Sequence, residues 1–155
     1  SKYYLYAYDA DTGGPAAGWT KNPVSHTWTT DNHGGHIQHP VVVGKNIYLE
    51  PRGYDINTGA DLGITIGTRS GCSTRAGTTG ALIYRGSGRR IAMWDVKSGA
   101  VSYWNRLRPS CWLSTIPAGG MVLSPEGGGG CSCNEWFQTS VGFIRSDTGS
   151  GRTGR

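Results

Sequence analysis

The chain has 155 residues, room for one domain with a real core. Its 26 glycines, scarce Leu, Ile and Val, and aromatics that are mostly Tyr and Trp argue against helices and for short strands joined by tight turns, because Gly in a helix interior costs roughly 1 kcal/mol relative to Ala. Charged residues at 16% are too few for charge-driven disorder, a net charge of +5 with scattered arginines argues against nucleic-acid binding, and no run of about 18 apolar residues could span a membrane.

Residues 3–8 alternate around Leu5 and Ala7 and read as a strand that ends in the turn Asp9-Ala10-Asp11-Thr12-Gly13. The first Asp of such a turn accepts from backbone N–H groups two or three residues on, and Gly supplies the positive φ. Beyond Trp19, residues 20–36 read as a polar loop. Strands are then expected at 39–43, 47–49 and 52–56, with a Gly44-Lys45-Asn46 turn, and the Asp-to-Gly turn returns at Asp55-Ile56-Asn57-Thr58-Gly59. The stretch Ala81 to Trp112 carries two apolar runs around a Gly-Ser-Gly turn, a third Asp-to-Gly turn from Asp95 to Gly99, and a strand closing on Trp104. It reads as three strands of one antiparallel sheet.

The turns recur at roughly 40 to 45 residues, with several short strands per copy, the sequence sign of a β-propeller whose copies are four-stranded blades. The expected architecture is all-β, with about three to four blades: a partial blade at 1–20, blades at 39–66, 72–107 and 111–144, and a polar basic tail at 145–155 carrying Arg145, Arg152 and Arg155. A blade cannot bury both faces alone, so further sequence or a second copy is expected to complete the ring. The abrupt opening in a strand fits missing upstream sequence.

The run L-Y-A-Y-D-A-D-T-G followed by Trp19, with its echoes G-Y-D-I-N-T-G and A-M-W-D-V-K-S-G followed by Trp104, resembles the repeat of PQQ-like, quinoprotein-type β-propellers. In that repeat the Trp packs between blades. Asp9, Gly13 and Trp19 match it in the first copy, Asp55 and Gly59 in the second, and Asp95, Gly99 and Trp104 in the third. The second copy has no Trp after Gly59, so Leu62 or Ile64 must fill the slot. The segments around Cys72, Cys111, Cys131 and Cys133 look like a bacterial subgroup that carries the same cysteines. The resemblance speaks for fold more than for function.

Three constellations could carry chemistry. The four cysteines Cys72, Cys111, Cys131 and Cys133 read as two disulfides of an oxidising compartment, with a metal or redox role as the alternative. His33, His36 and His39 with Asp31 could ligate copper or zinc; the competing reading is a solvated loop whose histidines bond to backbone. The resemblance also raises a quinone site, with calcium, at Trp136, Glu135 and Asn134 beside Cys131-Ser132-Cys133, although no adjacent cysteine pair exists and PQQ is not the favoured expectation. The D-T-G triplets at Asp11 and Asp147 lack the surroundings of an aspartic-protease loop, and no G-x-S-x-G elbow is present.

The function expected from sequence is non-catalytic binding and scaffolding by a periplasmic or extracellular bacterial propeller, with a protein or small-molecule ligand on a loop-bearing face and homo-oligomerisation or a larger chain completing the ring. The alternative is a quinoprotein- or metal-dependent oxidoreductase, or a fragment of one.

Overall fold

The computed structural model describes residues 2–27, 39–105, 107, 115–125 and 139–144. Their strands form four antiparallel sheets that follow one another along the chain. The first pairs β1 (Lys2–Leu5) with β2 (Val24–Thr27), setting Tyr3 opposite His26. The second is a meander of β3 (Val41–Val43), β4 (Asn46–Leu49), β5 (Arg52–Asp55) and β6 (Asp61–Thr65). The third repeats that order with β7 (Ala76–Gly77), β8 (Ala81–Arg85), β9 (Ile91–Asp95) and β10 (Val101–Trp104). The fourth contains β11 (Ile116–Ala118), β12 (Met121–Ser124) and β13 (Val141–Ile144).

The expected all-β class is therefore observed, and Ala81 to Trp104 does form one sheet, with β7 as its fourth strand. Two local expectations change. The expected strand at residues 3–8 leaves its pairing with β2 after Leu5: the Ala7 N–H donates to Asn22 Oδ1 at 3.2 Å and Asn22 Nδ2 donates to the Ala7 carbonyl at 2.5 Å. Ala7 and Tyr8 pair across their own turn, the Ala16 N–H donating to the Ala7 carbonyl at 3.1 Å and Tyr8 bridging to Pro15. Strand β2 also lies inside the expected polar loop. Its one buried side chain is a histidine, so no apolar alternation marked it.

The three Asp-to-Gly turns share one geometry. Oδ1 of Asp9, Asp55 and Asp95 accepts from two backbone N–H groups and from the hydroxyl of Thr12, Thr58 or Ser98, at 2.7 to 3.1 Å. The N–H of Gly13, Gly59 and Gly99 bonds back to the carbonyl of the same Asp, and each Gly holds φ near +70°, a conformation that only Gly adopts without strain. These bonds, led by the Thr12 and Ser98 N–H groups at Asp9 and Asp95 and by the Thr58 hydroxyl at Asp55, hold all three carboxyls below the usual range. The second and third turns are also pinned to their sheets. Ile56 N–H donates to Lys45 O at 2.8 Å, and Val96 N–H donates to Gly80 O at 2.9 Å.

Sheets pack face to face because successive strand residues point to opposite faces. In β4, Ile47 and Leu49 join Trp19 and Tyr54, against Leu5, Ala7 and Val24 of the first sheet's region. Tyr48, between them, joins Ile66, Leu82, Tyr84, Ala92 and Trp94 in a second core shared with the third sheet. The second sheet is thus buried on both faces. Its Tyr48 ring meets Trp94 edge-to-face at 6.0 Å, a favoured aromatic arrangement. Leu82 and Ala92 are fully buried. The first strands of the last three sheets also adjoin, with β7 packed against β3 and β11.

Candidate functional site

Trp19 ties two sheets together. Its indole is buried against the neighbouring sheet, and Nε1 donates to the Ile56 carbonyl inside the second turn at 2.9 Å. A Cβ placed on Gly59 would lie 2.7 Å from the Trp19 ring. Trp19 therefore clamps its own region onto the turn of the second sheet. Of the two candidates for the second copy's Trp slot, Ile64 packs against the core shared with the third sheet and Leu62 is 39% exposed. Nothing lies within 4 Å of a Cβ on Gly99, so neither sits on the third turn as Trp19 sits on the second. Trp104 sits at the end of β10 opposite Ile91. It lines a cavity between the third and fourth sheets.

A polar network missed by the sequence reading lies at the opposite strand ends, where the β4–β5 turn meets the connection from β6 to β7. Glu50, 2% exposed, accepts from Arg75 Nη2 at 2.7 Å and from the Arg69 N–H at 3.3 Å. Arg75 Nη2 also donates to the Gly67 carbonyl at 2.8 Å, and its guanidinium lies 4.9 Å from the Tyr84 ring centroid. Arg69 Nη1 donates to the carbonyls of Gly71 and Ser73 at 2.9 and 2.8 Å. Burial, with the Arg75 charge nearby, pushes Arg69 below its ordinary value. Burial lifts the Tyr84 hydroxyl to about 12, so it remains a neutral phenol.

His26 extends this network to the first sheet. Nε2 lies 2.7 Å from the Glu50 carbonyl, and Nδ1 lies 2.6 Å from the Tyr54 hydroxyl. A carbonyl only accepts, so Nε2 carries the proton and Nδ1 of the neutral ring accepts from the Tyr54 O–H. Burial pushes the His26 pKa down, which favours that neutral ring. The same burial pushes Tyr54 up. Every member of the chain from His26 to Arg75 is thereby engaged in holding sheets together, and the arrangement works as a strut.

Of the residues singled out from sequence, Asp31, His33, His36, Cys111, Cys131, Cys133, Asn134, Glu135 and Trp136 lie outside the described residues. His39 is exposed just before β3. Among the described residues no group of three His, Cys, Asp or Glu side chains could hold a metal. Cys72 is half-buried in the β6–β7 connection and forms no disulfide among the described residues. Asp9, Asp55 and Asp95 stay apart, each confined to its own turn. No helix of the described residues is long and apolar enough to cross a membrane.

The chain matches no known protein family, no curated protein and no solved structure.

Proposed function

We propose that the chain is a run of β-propeller blades of the PQQ-like type that serves as a non-catalytic binding scaffold in an extracytoplasmic bacterial protein. The observation that carries this reading is the sandwiching of the second sheet: alternate residues of one strand enter two different inter-sheet cores, and Trp19 locks onto its neighbour's turn. Blades of a propeller are related in this way, each covering one face of the next around an axis lined by their first strands. The contacts of β7 with β3 and β11 fit that axis. The repeat residues and the His26 to Arg75 network are engaged in structure, which leaves the loops and the faces between sheets for binding.

Tyr4 of β1 and Tyr6 and Tyr8 just beyond it are each more than half exposed, with the Tyr6 and Tyr8 rings stacked 6.2 Å apart. At the other end, Ile116, Phe143 and Ile144 are exposed on the fourth sheet. Apolar faces of this kind mark association surfaces, and further blades, from a second copy or a longer chain, cover them in the proposed assembly.

Metal analysis and absorption spectroscopy of the purified chain, followed by titration with copper, zinc, and PQQ with calcium, test the functional reading. The scaffold shows no chromophore and no saturable, stoichiometric binding of any of these. A bound quinone or one equivalent of tightly held metal would replace it with the oxidoreductase reading.

A further inference from the structure

The residue before each turn Asp shows how its strand is flanked. Tyr54 lies between Ile47 of β4 and Asp61 of β6, and Trp94 lies between Leu82 of β8 and Val101 of β10. Tyr8, the equivalent residue before Asp9, has only an outer partner, in a bridge to Pro15. Its neighbours make that bridge: Asp9 N–H donates to the Gly14 carbonyl at 2.8 Å, and Ala16 N–H to the Ala7 carbonyl at 3.1 Å. Backbone groups alternate sides along an antiparallel strand. The N–H and C=O of Tyr8 therefore point to the inner edge, the side held by β4 and β8 in the other two sheets, where the first sheet has no described strand.

Two further features of that edge match. Ile56 and Val96 donate to the carbonyls of Lys45 and Gly80, immediately before β4 and β8, whereas Ala10 at the same place is exposed and makes no such bond among the described residues. Gly77 and Val42 also hold equivalent places, paired with Leu82 and Ile47. Val41 and Val43 of β3 cover Gly77 so closely that a Cβ there would lie 2.7 and 2.6 Å from them. Val42 shares the face on which Ile47 packs toward the first sheet, yet it is 55% exposed.

We propose that the inner edge of the first sheet accepts an added β-hairpin of the β7–β8 kind from a second polypeptide. The hairpin's outer strand pairs alongside Tyr8, with an aliphatic residue opposite it as Ile47 and Leu82 stand opposite Tyr54 and Trp94, and its inner strand covers Val42. Main-chain hydrogen bonds supply the affinity of such strand addition, and alternate side chains its selectivity. The second and third sheets hold the occupied forms of the same site, which identifies the occupant. This edge site rests on the reading of the sheets as blades, and it is separate from the exposed rings of Tyr4, Tyr6 and Tyr8.

The probe is a peptide of residues 74–85 closed into a ring through D-Pro-Gly, a turn that holds it as a hairpin; its small Ala76 leaves room for Val42. It is titrated into the intact chain and followed by amide hydrogen exchange. At saturation the Tyr8 and Ala10 amides are expected to exchange at least about tenfold more slowly, Ala10 because the peptide's Gly80 carbonyl accepts from it as Gly80 accepts from Val96. N-methylation of the peptide at Leu82 spares its internal bonds, since that N–H faces Trp94 in the third sheet, and is expected to abolish the protection. Unchanged exchange at both amides up to the peptide's solubility limit overturns the proposal, as does equal protection by the N-methylated peptide. Protection without peptide that rises with chain concentration assigns the edge to a second copy and overturns it too. A chain that fails these tests yet self-associates in sedimentation overturns strand addition alone and keeps the blade reading.

Discussion

Trp19 and Gly59 occupy one another's space across two sheets: the indole lies 2.7 Å from where a Gly59 Cβ would stand, and its N–H bonds to Ile56 three residues earlier. Gly99 holds the same φ in the equivalent turn of the third sheet, yet nothing lies within 4 Å of its missing Cβ. The two glycines therefore separate conformational from packing effects. Gly99→Ala is expected to cost about 1–2 kcal/mol, the strain of a left-handed residue with a Cβ. Gly59→Ala carries the same strain plus an overpacking cost of about 1–3 kcal/mol. Urea unfolding of the two variants checks the difference, and equal losses would show that Trp19 does not clamp the turn.

Trp19→Phe retains most of the buried ring and removes the bond to Ile56. A loss of about 1–3 kcal/mol is expected, from the missing hydrogen bond and smaller ring, against about 3–5 kcal/mol for Trp19→Ala. The midpoint of thermal or denaturant unfolding orders the three proteins.

His26 makes stability depend on pH. Its folded pKa lies below the ordinary value of about 6.5, so as pH falls through 6.5 the unfolded chain takes up a proton that the folded chain refuses. Stability accordingly rises with pH across the window from the lowered folded pKa to about 6.5, by up to about 1.4 kcal/mol per pH unit. His26→Gln, measured by unfolding between pH 5 and 7.5, is expected to flatten that slope. An unchanged slope would assign the pH dependence elsewhere.

Glu50→Gln leaves Arg75 buried without its carboxylate partner. Removing one member of a buried pair costs about 3–5 kcal/mol, so a large loss is expected at neutral pH. Replacing Glu50 and Arg75 together by Leu and Met should recover much of it, since an apolar pair carries no desolvation penalty. A double-mutant cycle by denaturant unfolding measures the coupling.

The repeat was legible because its markers are local. Asp55, Thr58 and Gly59 satisfy one another within five residues, and the continuous apolar runs of β4 and β8, buried on both faces, are written along the chain. His26 and Glu50 were illegible for the opposite reason: their partners lie 28 and 25 residues away, and a buried polar residue looks like a loop residue until its partners are in place. Leu62 and Ile64 were equivalent candidates for the Trp slot, and a regular pleat would put both on one face; the register shift in β6 around Gly63, at φ +70°, leaves Leu62 exposed and Ile64 packed against the core.

Sedimentation equilibrium of the purified 16.5 kDa chain tests most directly whether these sheets are blades of an unfinished ring. With Tyr4, Tyr6 and Tyr8 at one end and Ile116, Phe143 and Ile144 at the other left uncovered, the chain is expected to self-associate. Tyr6→Lys with Tyr8→Lys should return it to a folded monomer. A compact, fully folded monomer of the unmodified chain at all concentrations would contradict the propeller reading.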